Sequence, residues 1–157
     1  MKINEDKTKV MLFNRAKKTD FMPKLELTEV NPIEVVEEFK LLGIMITSDL
    51  KWTSNTKLTI AKCYKRMWML RNLKKFGTSE NNLIEVYYQQ VIRITEMVCP
   101  VWNAGITQQE VREIERIQRV ALAVIRVDKH TNYKEALDYF KLETLENRRE
   151  KLCLTLH

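Results

Sequence analysis

Eight basic side chains stand between Leu50 and Ser79, at Lys51, Lys57, Lys62, Lys65, Arg66, Arg71, Lys74 and Lys75, and that window holds no acid. Just upstream the sign reverses: Leu25 to Glu38 carries Glu26, Glu29, Glu34, Glu37 and Glu38 and no base. An uncompensated positive block of this size attracts a polyanion such as a nucleic-acid backbone. The competing reading is a solvated helix whose lysines keep the chain soluble. Aromatic residues are interleaved with the block at Trp52, Tyr64, Trp68 and Phe76. Bases stack on such side chains in single-strand binders. Tyr64 and Trp68, however, are four residues apart, the spacing at which two side chains meet on one helix face. The expectation is therefore that they pack into a helical core.

Other chemistries find little support. The adjacent carboxylates, Glu5-Asp6 and Glu37-Glu38, fall in polar, turn-like stretches. Two-metal phosphoryl transfer needs carboxylates that converge on a pair of ions, and these do not offer such a set. Three scattered glycines cannot build a phosphate-cradling loop, and no Ser-His-Asp or Cys-His pairing is suggested. Cys63, Cys99 and Cys153 are odd in number and far apart, which fits a reducing compartment better than a disulfide framework. With only His130 and His157 beside them, no zinc-type spacing exists. No run approaches the roughly 18 apolar residues of a membrane helix, and the polar start of the chain is unlike a secretory signal. The expected setting is intracellular, cytoplasmic or nuclear, with no membrane partner and no small-molecule substrate in evidence.

The elements that would position the basic block read as α+β. Lys9–Phe13, Lys24–Thr28 and Ile33–Val36 have the short apolar or alternating patterns of strands, with Asn31-Pro32 as a turn. Phe39 to Ile46 is almost wholly apolar around Gly43, which suits a strand buried on both faces, the glycine marking a bulge or a close backbone approach. Together these predict a small antiparallel sheet. After Trp52 the period becomes helical, from caps at Thr53, Ser54 and Asn55 to about Leu73, with Phe76-Gly77 as the stop. A second helix is expected from Glu80 to about Met97, broken by Pro100.

Thr107-Gln-Gln-Glu110 is a capping box. It opens a helix to about Val127 whose apolar face is Val111, Ile114, Ile117, Gln118, Ala121, Leu122 and Ile125. Arg112, Arg116, Arg119 and Arg126 fall on the other face, a solvated stripe partnered by Glu113 and Glu115 or a further phosphate contact. Short helices from Tyr133 to Tyr139 and from about Leu145 complete a bundle of four to five. The first strand starts almost at Met1 and the last helix meets no cap, so both ends are expected to be cut from a longer polypeptide.

Several strings in this order resemble one family. Asn4-x-x-Lys7-Thr8-x-x-Met11-x-Phe13 resembles the palm segment that follows the catalytic strands in reverse transcriptases of non-LTR retrotransposons. Phe39-Lys40-Leu41-Leu42-Gly43-Ile44, then Leu50-x-Trp52, is similar to their primer-grip hairpin and its exit into the thumb. Cys99-Pro-Val-Trp102-Asn, Ile114-Glu-Arg-Ile-Gln118-Arg, Tyr133-Lys-Glu-Ala-Leu137 and Leu142-Glu-Thr-Leu145-x-x-Arg148-Arg149 come next, as in the thumb region of animal elements. The resemblance runs from Asn4 to Leu154.

It implies residues 1–50 as a partial palm, including the primer-grip hairpin, and 51–157 as a thumb-like helical bundle with a truncated extension. By the resemblance, Lys7 would stand near the incoming nucleotide as a candidate proton donor to pyrophosphate. Leu42 and Gly43 would hold the primer terminus, Gly43 letting the sugar-phosphate approach closely. Lys57, Lys62, Lys65, Arg66, Arg71, Lys74 and Lys75 would line the first thumb helix along an RNA–DNA or DNA primer-template, with Arg112, Arg116 and Arg119 as further contacts. The family's metal-binding aspartates have no counterpart in this sequence. The chain alone is thus expected to be inactive and to hold no cofactor, magnesium belonging to the intact parent enzyme. Two alternatives stand beside this: a host-adopted, non-catalytic nucleic-acid-binding module, and a nonfunctional transposon remnant.

Overall fold

The computed structural model describes residues 8–13, 26–28, 31–126 and 132–155. The chain is a mixed α+β protein, mostly helical, and divides into two units, Met1–Ser54 and Asn55–His157.

Among the described residues of the first unit the strands are short and pair in three separate ladders. β1 (Lys9–Val10) runs parallel to β4 (Glu34–Val35), with Lys9 opposite Glu34 and an ion pair of 2.7 Å between them. β2 (Glu26–Thr28) and β3 (Asn31–Pro32) are antiparallel with an irregular register. Asn31-Pro32, expected as a turn, thus lies in a strand; proline tolerates an edge position because it has no N–H to give to a ladder. β5 (Glu38–Leu41) and β6 (Ile44–Thr47) form a regular hairpin closed by the Leu41–Ile44 pair. The sequence pattern implies a single antiparallel sheet. Among the described residues, strands of two to four residues instead form three pairings, one of them parallel.

Phe39 to Ile46 is not one strand buried on both faces. β5 is exposed along its whole length, and the chain reverses at Leu42-Gly43, whose φ angles are 48° and 91°. Positive φ at both central residues is the turn geometry that matches the twist of a two-residue hairpin. Gly43 therefore serves a reversal, not a bulge. At the hairpin exit Asp49 accepts from Thr47 Oγ1 at 2.8 Å and from the Lys51 N–H at 3.1 Å, and these bonds hold its carboxyl down at about 2.

The second unit is helical. α1 (Thr53–Lys75) buries Asn55, Thr56, Thr59, Cys63, Met67 and Leu70, steps of three and four residues that keep one face inward. It ends in a Schellman motif. Gly77 takes φ 80°, its N–H donates to the Lys74 carbonyl at 3.0 Å, and the Thr78 N–H reaches back to Leu73 at 3.2 Å. α2 (Glu80–Tyr87) starts at a Ser79 cap and continues through a π-helical turn, Tyr88–Ile92, into α3 (Arg93–Glu96). The expected single α-helix thus contains an i→i+5 insertion, which rotates the faces of α3 relative to those of α2. It stops at Met97 and the left-handed Val98 (φ 51°). Pro100 lies beyond that stop, in the first turn of α4 (Cys99–Trp102), where its missing N–H costs no helical bond.

α5 (Gln108–Ile125) opens with the capping box of Thr107 and Glu110 and buries Ile114, Ile117, Gln118, Ala121, Leu122 and Ile125. α6 (Tyr133–Phe140) and α7 (Leu145–Leu154) complete the unit, each with a polar cap at its start. Their contacts bring the four downstream strings of the resemblance together. Gln118 accepts from the Tyr87 hydroxyl at 2.8 Å and donates to the Glu143 carbonyl at 2.9 Å and to Tyr133 Oη at 3.2 Å. Tyr133 donates to Glu115, whose other oxygen accepts the Leu145 N–H at 3.0 Å. Arg149, fully buried, places Nε 2.9 Å from Asn103 Oδ1. Those strings are thus the polar joints of the core.

Candidate nucleic-acid interface

Because α1 turns its small and apolar residues inward, its basic residues must fall elsewhere. Lys57, Lys65, Arg66, Arg71 and Lys75 are all exposed. At about 100° per residue, Lys57, Lys65, Arg71 and Lys75 fall within an arc of roughly 120° opposite the buried Cys63 and Leu70. Arg66 and Lys62 share a flank one turn apart, and Lys62 is half-buried. The helix carries no acid anywhere along its length.

Two aromatic side chains share that outer arc, against the sequence expectation. Trp68 is 69% exposed and Tyr64 39%. They do lie one turn apart on one face, but it is the outward one: the inward face is filled by Cys63, Met67 and Leu70. Spacing establishes that the pair shares a face and leaves open which side of the helix the core takes. Phe76, just past the helix end, is 86% exposed, and Trp52 is half-buried.

Lys74 also departs from its expected place. Its ammonium donates to the carbonyls of Val124, Ile125 and Arg126 at the end of α5. It is a helix cap and is turned away from the outer arc. The physical reason is that the last carbonyls of a helix have no partner within it and carry the negative end of its dipole.

On α5, Arg112, Arg116 and Arg119 are all exposed and lie together on its outer side. Arg119 lies over the Tyr133 ring at 5.1 Å and Arg126 over Tyr139 at 4.5 Å, so part of the stripe is held by aromatic faces. Glu115, expected as a partner of these arginines, is engaged by Tyr133 and Leu145, and Glu113 accepts from Gln109 at 3.2 Å.

In the first unit Leu42 stands at the hairpin tip, 89% exposed, beside Gly43. Lys7 lies outside the described residues. The same unit has a cavity of about 390 Å³ lined mainly by apolar side chains, among them Met11, Phe13, Val36 and Phe39. Its one lysine, Lys9, is paired to Glu34. Among the described residues no three His, Cys, Asp or Glu side chains cluster where they could hold a metal ion. None of their helices is long and apolar enough to cross a membrane. No family model matches the chain, and neither the curated proteins nor the solved structures hold a match to it.

Proposed function

We propose that this chain is the part of a non-LTR retrotransposon reverse transcriptase that holds primer and template, acting within an intact magnesium-dependent polymerase whose aspartates are not in this sequence. The observation that carries the reading is the acid-free outer face of α1, with Lys57, Lys65, Arg71 and Lys75 all exposed on one arc. Basic side chains on one face of a long helix can track a phosphate backbone, and each contact releases condensed counterions. The hairpin supports the same reading: Leu42-Gly43 forms a turn with an exposed leucine where the resemblance puts the primer grip.

The test is a gel shift of the whole chain with an RNA–DNA hybrid across a salt series. Binding at low salt with a log–log slope between about −2 and about −4.5 is expected, since roughly three to five phosphate contacts each contribute about −0.7 to −0.9. The double substitution Lys65→Glu with Arg71→Glu removes most of it. Absence of binding at low salt would overturn the reading.

A further inference from the structure

We propose that the outer face of α1 takes a single-stranded stretch of nucleic acid, with Trp68 as the platform on which an unpaired base stacks and Tyr64 as its neighbour. This rests on the primer-template reading and sharpens it, by naming unpaired bases as what the face accepts in addition to phosphates.

The arrangement of the two rings is costly. An indole 69% exposed on a well-formed helix forgoes the burial that normally stabilises such a side chain. Tyr64, one turn away and 39% exposed, extends the apolar surface along the helix axis. The charges that α1 sets around the two rings are all positive, Lys57 and Lys65 toward one end and Arg71 and Lys75 toward the other. That charge pattern selects a negative partner. Contact with duplex backbone needs the lysines and arginines but gives an indole nothing to do, because a duplex keeps its base faces stacked inside and offers only edges and phosphates. A single strand offers both a backbone and free π-faces. Aromatic rings set among basic side chains are the arrangement that binds it with little regard to sequence.

Lys74 supports the assignment from within the same helix. It is turned to the α5 carbonyls, so the basic residues of α1 separate into one that holds the fold and a set that faces outward with the rings.

The experiment compares the whole chain binding three ligands at one ionic strength by fluorescence anisotropy: a short oligothymidine, an abasic strand of equal length, and a blunt RNA–DNA hybrid. It is repeated with Trp68→Ala, Trp68→Phe and the Lys65→Glu with Arg71→Glu double variant. Oligothymidine is expected to bind more tightly than the abasic strand. Trp68→Ala should weaken oligothymidine between about fivefold and a hundredfold, the range for loss of one stacked base, and bring it level with the abasic strand. Trp68→Phe should restore most of the loss, and the thermal melt should stay unchanged because the ring is exposed. Equal affinity of wild type and Trp68→Ala for oligothymidine overturns the proposal, as does a hybrid that outcompetes the single strand. If the charge reversal abolishes binding while Trp68→Ala does nothing, stacking fails and the primer-template reading survives. If none of the three ligands binds, that reading fails and takes this one with it. A sedimentation measurement in which Trp68→Ala converts a dimer to a monomer with strand affinity unchanged makes the face a self-association surface, which also overturns the proposal.

Discussion

The Lys74 ammonium donates to the Val124 carbonyl, and to those of Ile125 and Arg126 next to it, fastening the end of α1 to the end of α5. A cation in a partly buried site at a helix C-terminus contributes up to about 2 kcal/mol. Lys74→Met keeps the aliphatic stem and removes the donors. It is expected to lower unfolding stability by about 1–2 kcal/mol in urea. Lys75→Met, at an exposed position, should stay within about 0.5 kcal/mol of wild type. For nucleic-acid affinity the order reverses, Lys75→Met weakening binding and Lys74→Met leaving it near wild type. If Lys74→Met is as harmless to the fold as Lys75→Met, the cap contributes nothing.

Gln118 joins separate helical segments through one buried amide. It accepts from Tyr87, donates to the Glu143 carbonyl and to Tyr133, and has no solvent exposure. Gln118→Leu is close in volume but leaves the buried Tyr87 hydroxyl unpaired, at about 1–3 kcal/mol, and removes the bonds to the Glu143 carbonyl and to Tyr133, at about 1 kcal/mol each. A loss of about 3 kcal/mol or more in chemical denaturation is expected, with Tyr87→Phe milder at about 1 kcal/mol. A Gln118→Leu protein as stable as wild type would mean that the network is dispensable.

Alkali should unfold the protein through its buried acids. Burial pushes the Cys63 thiol up to about 12 and the Cys99 thiol, with Cys153 beside it, up to about 11, and it raises the Tyr87 hydroxyl as well. The folded state therefore keeps protons that the unfolded chain releases. The stability tied to the two thiols is fully present below their ordinary value of 9.0 and is lost as pH rises through the folded values. Urea midpoints measured from neutral pH upward should fall above about pH 9. Cys63→Ala, less stable at neutral pH for lack of packing, should show a shallower fall. Parallel curves for the two proteins would remove Cys63 as a cause.

Legibility in the sequence depended on whether the signal was local. The α5 start needs only Thr107 and Glu110, whose two bonds lie within one turn, and the apolar period of α5 predicts the face that is buried. Period also places Tyr64 and Trp68 together, yet orientation is decided by which face the other helices cover, and no local pattern carries that. The π-turn at Tyr88–Ile92 has no residue signature of its own. Lys74 reaches residues about 50 positions away, so its type predicts a surface charge while its partners make it a cap. Phe39–Ile46 reads as one strand because hydropathy does not distinguish a buried strand from a hairpin whose tip is a leucine; the φ of Leu42 does.

Leu42 holds φ 48° at the first central position of a two-residue turn, with Gly43 at 91° and the leucine 89% exposed. A branched L-residue in the left-handed region costs roughly 1–2 kcal/mol, and here no burial offsets it. Asn-Gly is the pair this turn prefers, because asparagine tolerates that conformation. Leu42→Asn should therefore stabilise the β5–β6 hairpin by about 1 kcal/mol, read as slower amide exchange across the Phe39–Ile46 and Leu41–Ile44 pairs. If the tip also contacts a primer terminus in an intact polymerase, the same substitution should lower primer extension there while the hairpin grows more stable. Strain relieved together with lost extension is hard to attribute to damage of the fold. Unchanged exchange in Leu42→Asn would show that the turn carries no strain to relieve, and a more stable hairpin with full extension would detach Leu42 from the primer.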